Sequence, residues 1–414
     1  WRLYDDPALD RLIERALAAN TDLRVARANL LRAQAVVREA RAGRLPSAGD
    51  LSGGVSYGDD NRGNPAMAGG GAQWSANGAL TVDWEVDLFG RIGRAIEAAR
   101  ADAAAEQAVR DSVALTVAAE TARSYVDACA LAESVAVGRE SVAIAEREYA
   151  MQQARLRAGA ASGLDAERAA TALANTRAAL PTLEGRRRAA LFELAALIGV
   201  TPSEVPAEAQ QCVRAPAPLA AIPVGDGRAL LARRPDVREA ERRLAADTAR
   251  IGVATAELYP RISLGGSGNF FRNDQVRGDD SFSFSLGPLI SWSLPNLVTG
   301  RARIEQAEAG AQASLARFDG AVLTALKEVE QALSRYAAEG ERNARLREAE
   351  RHADAAYRLA ERRYRAGSIA FLELLDTQRD LLGARATLAD STQQLGSLRI
   401  DLFKALGGGW RAGA

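Results

Sequence analysis

Apolar and polar residues alternate without a slip along 74–87, WSANGALTVDWEVD. Trp74, Ala76, Gly78, Leu80, Val82, Trp84 and Val86 share one parity, while Ser75, Asn77, Thr81, Asp83, Glu85 and Asp87 lie on the other. A two-residue period predicts a strand with one dry and one wet face. A second such stretch, 281–294, places Phe282, Phe284, Leu286, Ile290, Trp292 and Leu294 on one face and mostly serines on the other. Elsewhere the period changes. Ala311, Leu315, Phe318, Val322, Ala325, Val329, Ala332 and Tyr336 are spaced four then three. A sustained seven-residue repeat predicts long helices that supercoil left-handedly around their neighbours.

The chain is written twice. NTDLRVARANL (20–30) answers RPDVREAERRL (234–244), and the helix then runs to a proline in each copy, Pro46 and Pro260. Strand pairs follow, roughly 47–57 with 74–87 and 261–271 with 281–294, around the loops GDDNRGNPAMAGGGAQ and RNDQVRGDD. Gly-Arg reopens the helix each time, at Gly90 and Gly300, where a glycine can take positive φ at the change from strand to helix. Each long helix spans about 65 residues, roughly 100 Å at 1.5 Å per residue. The helices end at LRAGAASGLD (156–165) and YRAGSIAFLE (364–373), and returning helices close on ALIG (196–199) and KALGGGW (404–410). The pattern assigns residues 1–200 to a first structural repeat, 201–227 to a Pro- and Ala-rich linker and 228–410 to a second repeat, in one integrated fold.

Composition narrows the chemistry. Lys plus Arg equals Asp plus Glu at 53 each, so no net basic field points to nucleic acid. His352 is the single histidine and sits among charges, which predicts a surface position. Cys129 and Cys212 have no metal spacing and form no evident disulfide framework, and Cys129 reads as a small core residue. No histidine pair, activated nucleophile or phosphate loop after a strand is present, so no enzyme is expected. No apolar run of 18 or more residues predicts a transmembrane helix.

The strands decide what the helices do. Four strands cannot close a barrel with an interior, and left open they expose two edges and an apolar face. Strands of 11 to 14 residues suit a tilted crossing of a bilayer, and Trp74, Trp84 and Trp292 suit aromatic girdles at its boundary. Three copies would supply twelve strands. A barrel shared between chains and continued by a helical tube is a duct. A soluble β-cap on a fibrous coiled coil is the alternative.

WEVDLFGR (84–91), YRAGSIAFLELLDTQR (364–379) and KALGGGW (404–410) resemble the TolC-type outer-membrane efflux proteins, in particular their OprM/NodT-like lipoprotein branch. The resemblance covers essentially the whole chain. It implies a mainly α protein with a membrane β part: a homotrimer with a periplasmic α-barrel of coiled-coil helices and a twelve-stranded outer-membrane β-barrel, four strands from each chain. It also implies outer-membrane lipid, a periplasmic adaptor (membrane fusion protein) and an inner-membrane pump of the resistance-nodulation-division type as partners. No cofactor is implied beyond a lipid anchor, palmitate and diacylglycerol, on a cysteine upstream of Trp1. The implied function is the exit duct of a tripartite efflux pump for drugs or other small molecules. Ducts for type I secretion or metal efflux are alternatives within transport, and two methionines argue against a copper pathway. A coiled-coil scaffold without a pore is the alternative from another class.

The resemblance further implies a constriction at the periplasmic end. Its acidic positions fall on Glu373 and Asp376, three apart and so on one helix face, with Leu372 as an apolar ring. Spacing alone also fits a solvated helix start favoured by the helix dipole. Asp165 and Tyr364 are the implied locking pair, Asp165 accepting a hydrogen bond from Tyr364. The basic locking position is occupied by Ile369.

Overall fold

The computed structural model describes residues 4–58, 72–216, 227–292 and 297–408. Helices α1 (Pro7–Ala19) and α2 (Thr21–Ala42) lead to strands β1 (Ser47–Gly58) and β2 (Gln73–Val86), then to the long α3 (Arg91–Arg157) and the returning α4 (Gly163–Leu197). The short α5 (Ala207–Gln210) lies in the linker, and α6 (Gly227–Arg233) opens the second repeat. That repeat runs through α7 (Pro235–Ala256), β3 (Arg261–Arg272), β4 (Phe282–Ser291), α8 (Leu297–Arg365) and α9 (Phe371–Ala405). Most of the first inter-strand loop, linker residues 217–226 and Leu294 lie outside the described residues. Among the described residues, no helix is long and apolar enough to cross a membrane.

The four strands form one antiparallel sheet in the order β1-β2-β3-β4. Its register keeps the parity read from the sequence. Leu51 lies opposite Leu80, Leu80 opposite Gly268, and Gly268 opposite Phe284. One row along, Val82 faces Gly266 and Gly266 faces Leu286. Each apolar parity therefore falls on the same side, because in-register pairing puts opposite residues on one face. On that side Leu51, Tyr57, Trp74, Leu80, Phe282, Phe284 and Leu286 are all exposed. The other face is mostly polar, with hydroxyl contacts from Ser56 to Ser75 (2.8 Å) and from Ser267 to Ser285 (2.9 Å); Phe271 and Leu289 are its exposed apolar exceptions, towards the two ends of the sheet. Among the described residues, β1 and β4 each have a neighbour on one side only.

WEVDLFGR turns the sheet into helix through five bonds. Trp84 Nε1 donates to the Arg44 carbonyl (3.0 Å), and Arg91 grips Glu85 with two nitrogens (3.0 and 2.6 Å). The Asp87 carboxylate accepts from the Ile92 and Gly93 amides (2.9 and 2.6 Å), filling orphan donors at the start of α3. Gly90 has φ +77°, the conformation expected of it.

Gly300 differs from that expectation. It lies inside α8, whose first residue is Leu297, and its φ is not positive. Space is its constraint: a Cβ there would come within 2.3 Å of Leu258 Cδ2. That atom is the free end of a half-buried side chain, which can turn away. Gly90→Ala should therefore cost about 1–2 kcal/mol, the usual cost of a left-handed residue, and Gly300→Ala much less. Thermal midpoints of the two purified variants check the order; equal losses would show that φ is not what Gly90 supplies.

The described residues fall into two compact units. One lies within Trp1–Arg27, Val109–Val237 and Ala321–Ala414, the other within Ala28–Ala108 and Arg238–Gly320. Each takes residues from both sequence repeats. The second unit holds the sheet, and buried alanines, including Ala105 and Ala108 on α3 and Ala246 and Ala249 on α7, leave its helices little bulk between them. In the first unit Leu9, Leu12, Tyr125, Leu194, Ile400 and Phe403 belong to a cluster drawn from α1, α3, α4 and α9. Asp6 starts α1 by accepting from the Ala8 and Leu9 amides (2.9 and 3.2 Å).

The repeats share their ties as well as their order. Asn20 caps α2 and donates to the carbonyl of Leu197, the last residue of α4 (3.2 Å). Arg234, at the matching point, donates to the carbonyl of Ala405, the last residue of α9 (2.9 Å), and holds Asp236 and Glu328. The cysteines correct the sequence reading. Cys129 and Cys212 are joined in a disulfide across 83 residues, which fastens the segment after α5 to the middle of α3. Cys129 is buried among apolar side chains, so its pattern in the sequence is that of any small core residue.

Candidate functional site

Two helical hairpins, α3–α4 and α8–α9, end within the first unit. Both use the same stop. Gly159 (φ +73°) donates to the Leu156 carbonyl and Ala160 to Arg155 (3.0 and 2.8 Å). Gly367 (φ +75°) donates to Tyr364 and Ser368 to Arg363 (both 3.0 Å). The paired bonds and left-handed glycine are the Schellman arrangement, which satisfies the last carbonyls of a helix. Each RAG in the sequence marks it.

Beyond the second turn α9 begins with Phe371, and its residues divide by face. Phe371, Leu374 and Leu375 are buried in a cluster with Tyr357, Tyr364 and Ala169. Leu372, Glu373 and Asp376 point away from it and are exposed, Leu372 at 43%. Asp376 has Arg379 one turn on, at 3.7 Å. Glu373 has no ion-pair partner among the described residues, and it sits in the first turn, where the helix dipole favours a carboxylate. The three sequence-predicted constriction residues therefore share one solvent-facing patch in the single chain.

The expected bond between Asp165 and Tyr364 is replaced by others. Ser162 caps α4, accepting from the Asp165 amide (3.1 Å) and donating to the Asp165 carboxylate (2.8 Å), and Arg168 lies 3.6 Å from the same carboxylate. A local capping partner three residues away holds the acid at its own helix start. Tyr364 Oη instead accepts from Gln152 Nε2 on α3 (2.6 Å), and the Arg155 guanidinium lies 4.7 Å from its ring centre.

Further ties were not found from the sequence. Tyr357 Oη donates to Glu148 Oε1 (2.7 Å), joining α8 to α3. Arg385 of α9 reaches Glu140 of α3 and Glu350 and Asp354 of α8, each at 3.3 Å. Glu148 and Gln152 are polar positions on a long helix rich in charge, and composition does not separate a buried one from a solvated one. Their i, i+4 spacing on one stripe was the available signal.

A sheet with a largely apolar exposed face, carried by long helices whose hairpin ends place Leu372, Glu373 and Asp376 in solvent, has the layout of a membrane channel protein. Residues 12–200 and 227–408 match the outer membrane efflux protein family. Nodulation protein T of Rhizobium leguminosarum bv. viciae is 31% identical over 416 residues, covering 100% of this chain and 84% of that protein. The toluene efflux pump outer membrane protein TtgC of Pseudomonas putida is also 31% identical, over 99% of this chain and 85% of its own. The solved outer-membrane channel OprN superposes with a TM-score of 0.91 at 34% identity, over 99% of this chain and 92% of that one. VceC of Vibrio cholerae gives 0.89 at 25% identity, over 99% and 98%. The chain belongs to the outer membrane efflux protein family. It is a bacterial outer-membrane exit duct for export, predominantly helical with a small β part.

Proposed function

We propose that three copies of the chain close a twelve-stranded barrel in the outer membrane, joining β1 of one copy to β4 of the next. In this reading the duct conducts rather than catalyses. It passes small molecules delivered by an inner-membrane pump through a periplasmic adaptor, and Leu372, Glu373 and Asp376 line its periplasmic constriction. The observation that carries the reading is the sheet: most of its large apolar side chains, including Leu51, Leu80, Phe284 and Leu286, share one exposed face, and among the described residues both of its edges are unpaired. Such a face is stable against hydrocarbon, and such edges are stable only when another strand completes them. The toluene, pyoverdine and solvent efflux named for relatives supports small molecules as cargo. Extraction from membranes in detergent should yield a species of three chains that conducts in planar bilayers. A stable, soluble monomer with native spectra would defeat the reading.

A further inference from the structure

The bonds between α3 and α8 leave one atom without a partner, and it lies beside an acid. Glu148 is 6% exposed and Gln152 0%, so both polar groups are shut away from water. Tyr357 donates to Glu148 Oε1, and Gln152 donates through Nε2 to Tyr364 Oη. Gln152 Oε1 has no hydrogen-bond partner among the described residues. A buried acceptor left empty costs about 1–3 kcal/mol. Glu148 stands one helical turn before Gln152, where side chains are neighbours. With the Gln152 amide in this orientation, a proton on Glu148 Oε2 would supply a donor one turn away and would link Tyr357, Glu148, Gln152 and Tyr364 in one chain of bonds.

We propose that Glu148 is protonated while α8 is packed on α3, and that its proton completes a latch which acidification holds shut and rising pH releases. The proposal rests on the reading of the hairpin ends as a channel constriction. Parting the two helices hydrates the carboxyl, which ionises and gives its proton to water.

The surroundings favour the neutral acid. Burial pushes the Glu148 carboxyl up to about 7; the Tyr357 hydrogen bond pulls the other way, Glu361 of α8 adds repulsion, and Arg147 on its own helix offsets part of it. Tyr357 remains a phenol, held well above its ordinary value by burial and by Glu148. From α4 and α9 the residues in the Tyr357 cluster include Ala169, Leu374 and Leu375, which carry no charge. The sign follows from the raised value. The packed state binds the proton more tightly than a hydrated Glu148 with its ordinary value of 4.5. Packing is therefore favoured fully below the ordinary value and weakens as the pH rises from there through 7.

Two measurements test the latch. In planar bilayers, the open fraction of the wild-type channel should rise between pH 5 and 8, by at most about tenfold per pH unit for each chain that releases a proton. Glu148→Gln keeps an acceptor for Tyr357 and a donor for Gln152 without titrating, and should abolish that dependence with the channel held shut. Tyr357→Phe should open the channel more at every pH while leaving a slope. A Glu148→Gln channel that keeps the wild-type slope overturns the proposal. Difference infrared spectroscopy of the full-length protein reads the carboxylic acid band directly. A band lost in Glu148→Gln and titrating near 7 is expected, and one titrating at the ordinary carboxyl value overturns the proposal. That readout needs no conduction, so a protein that never conducts defeats the channel reading while the protonation of Glu148 is still decided.

Discussion

Replacing Glu373 and Asp376 together with alanine should abolish the channel's preference for cations and weaken block by multivalent cations by about tenfold or more, the equivalent of about 1.4 kcal/mol. The two acids share an exposed face of α9's first turns. Threefold assembly would gather three copies of each around one axis, where like charges repel and attract counterions. The two should contribute unequally. Asp376 lies 3.7 Å from Arg379, and although an exposed pair of this kind adds little stability, the guanidinium lowers the local negative potential. Glu373 has no ion-pair partner among the described residues, so Glu373→Ala alone should remove more of the cation block than Asp376→Ala alone. Single-channel recordings under a salt gradient, with and without a trivalent cation, separate the cases. Unchanged selectivity in the double variant would make these acids an ordinary solvated helix start and place the constriction elsewhere.

The strands and long helices were legible because their signals are local and periodic. Parity along 74–87 and 281–294 fixed which residues share a face before any pairing was known, and the register only had to keep it. The glycine stops were visible as RAG in both copies, yet the sequence reading placed positive φ at Gly90 and Gly300 and missed Gly159 and Gly367. Gly90 fits because a strand ends there and Asp87 must turn back to the first amides of α3. Gly300 does not, since α8 has already begun. The less legible features are long-range. The Cys129–Cys212 bond spans 83 residues, and one partner lies in an apolar stripe that any small residue would suit. The bond expected between Asp165 and Tyr364 lost to a nearer competitor: Ser162 reaches Asp165 within one turn, while Gln152 occupies the tyrosine. Glu148 was hidden for a similar reason, because burial of a polar residue on a charged helix depends on a partner from the other repeat.

Leu286→Arg should prevent assembly in the membrane, whereas Ser285→Arg, one residue away, should leave the trimer intact and alter its conductance. Leu286 is the fifth of ten residues in β4 and is 76% exposed on the apolar face, opposite Gly266. An arginine near the bilayer midplane costs about 2–4 kcal/mol in a transmembrane barrel, and three copies raise that to roughly 6–12 kcal/mol for a trimer. A total of that size rivals the whole stability of a typical domain. Ser285 points to the opposite face, where its hydroxyl meets Ser267 at 2.9 Å among small polar neighbours. A guanidinium there enters a wet interior and adds three positive charges to it, which should lower cation conductance with little loss of protein. Trimer yield from detergent extracts and single-channel conductance read the two effects separately. If the outcomes are exchanged, so that Leu286→Arg assembles normally and alters conductance while Ser285→Arg fails to assemble, the apolar face lines the lumen and the sheet is the other way round in the membrane.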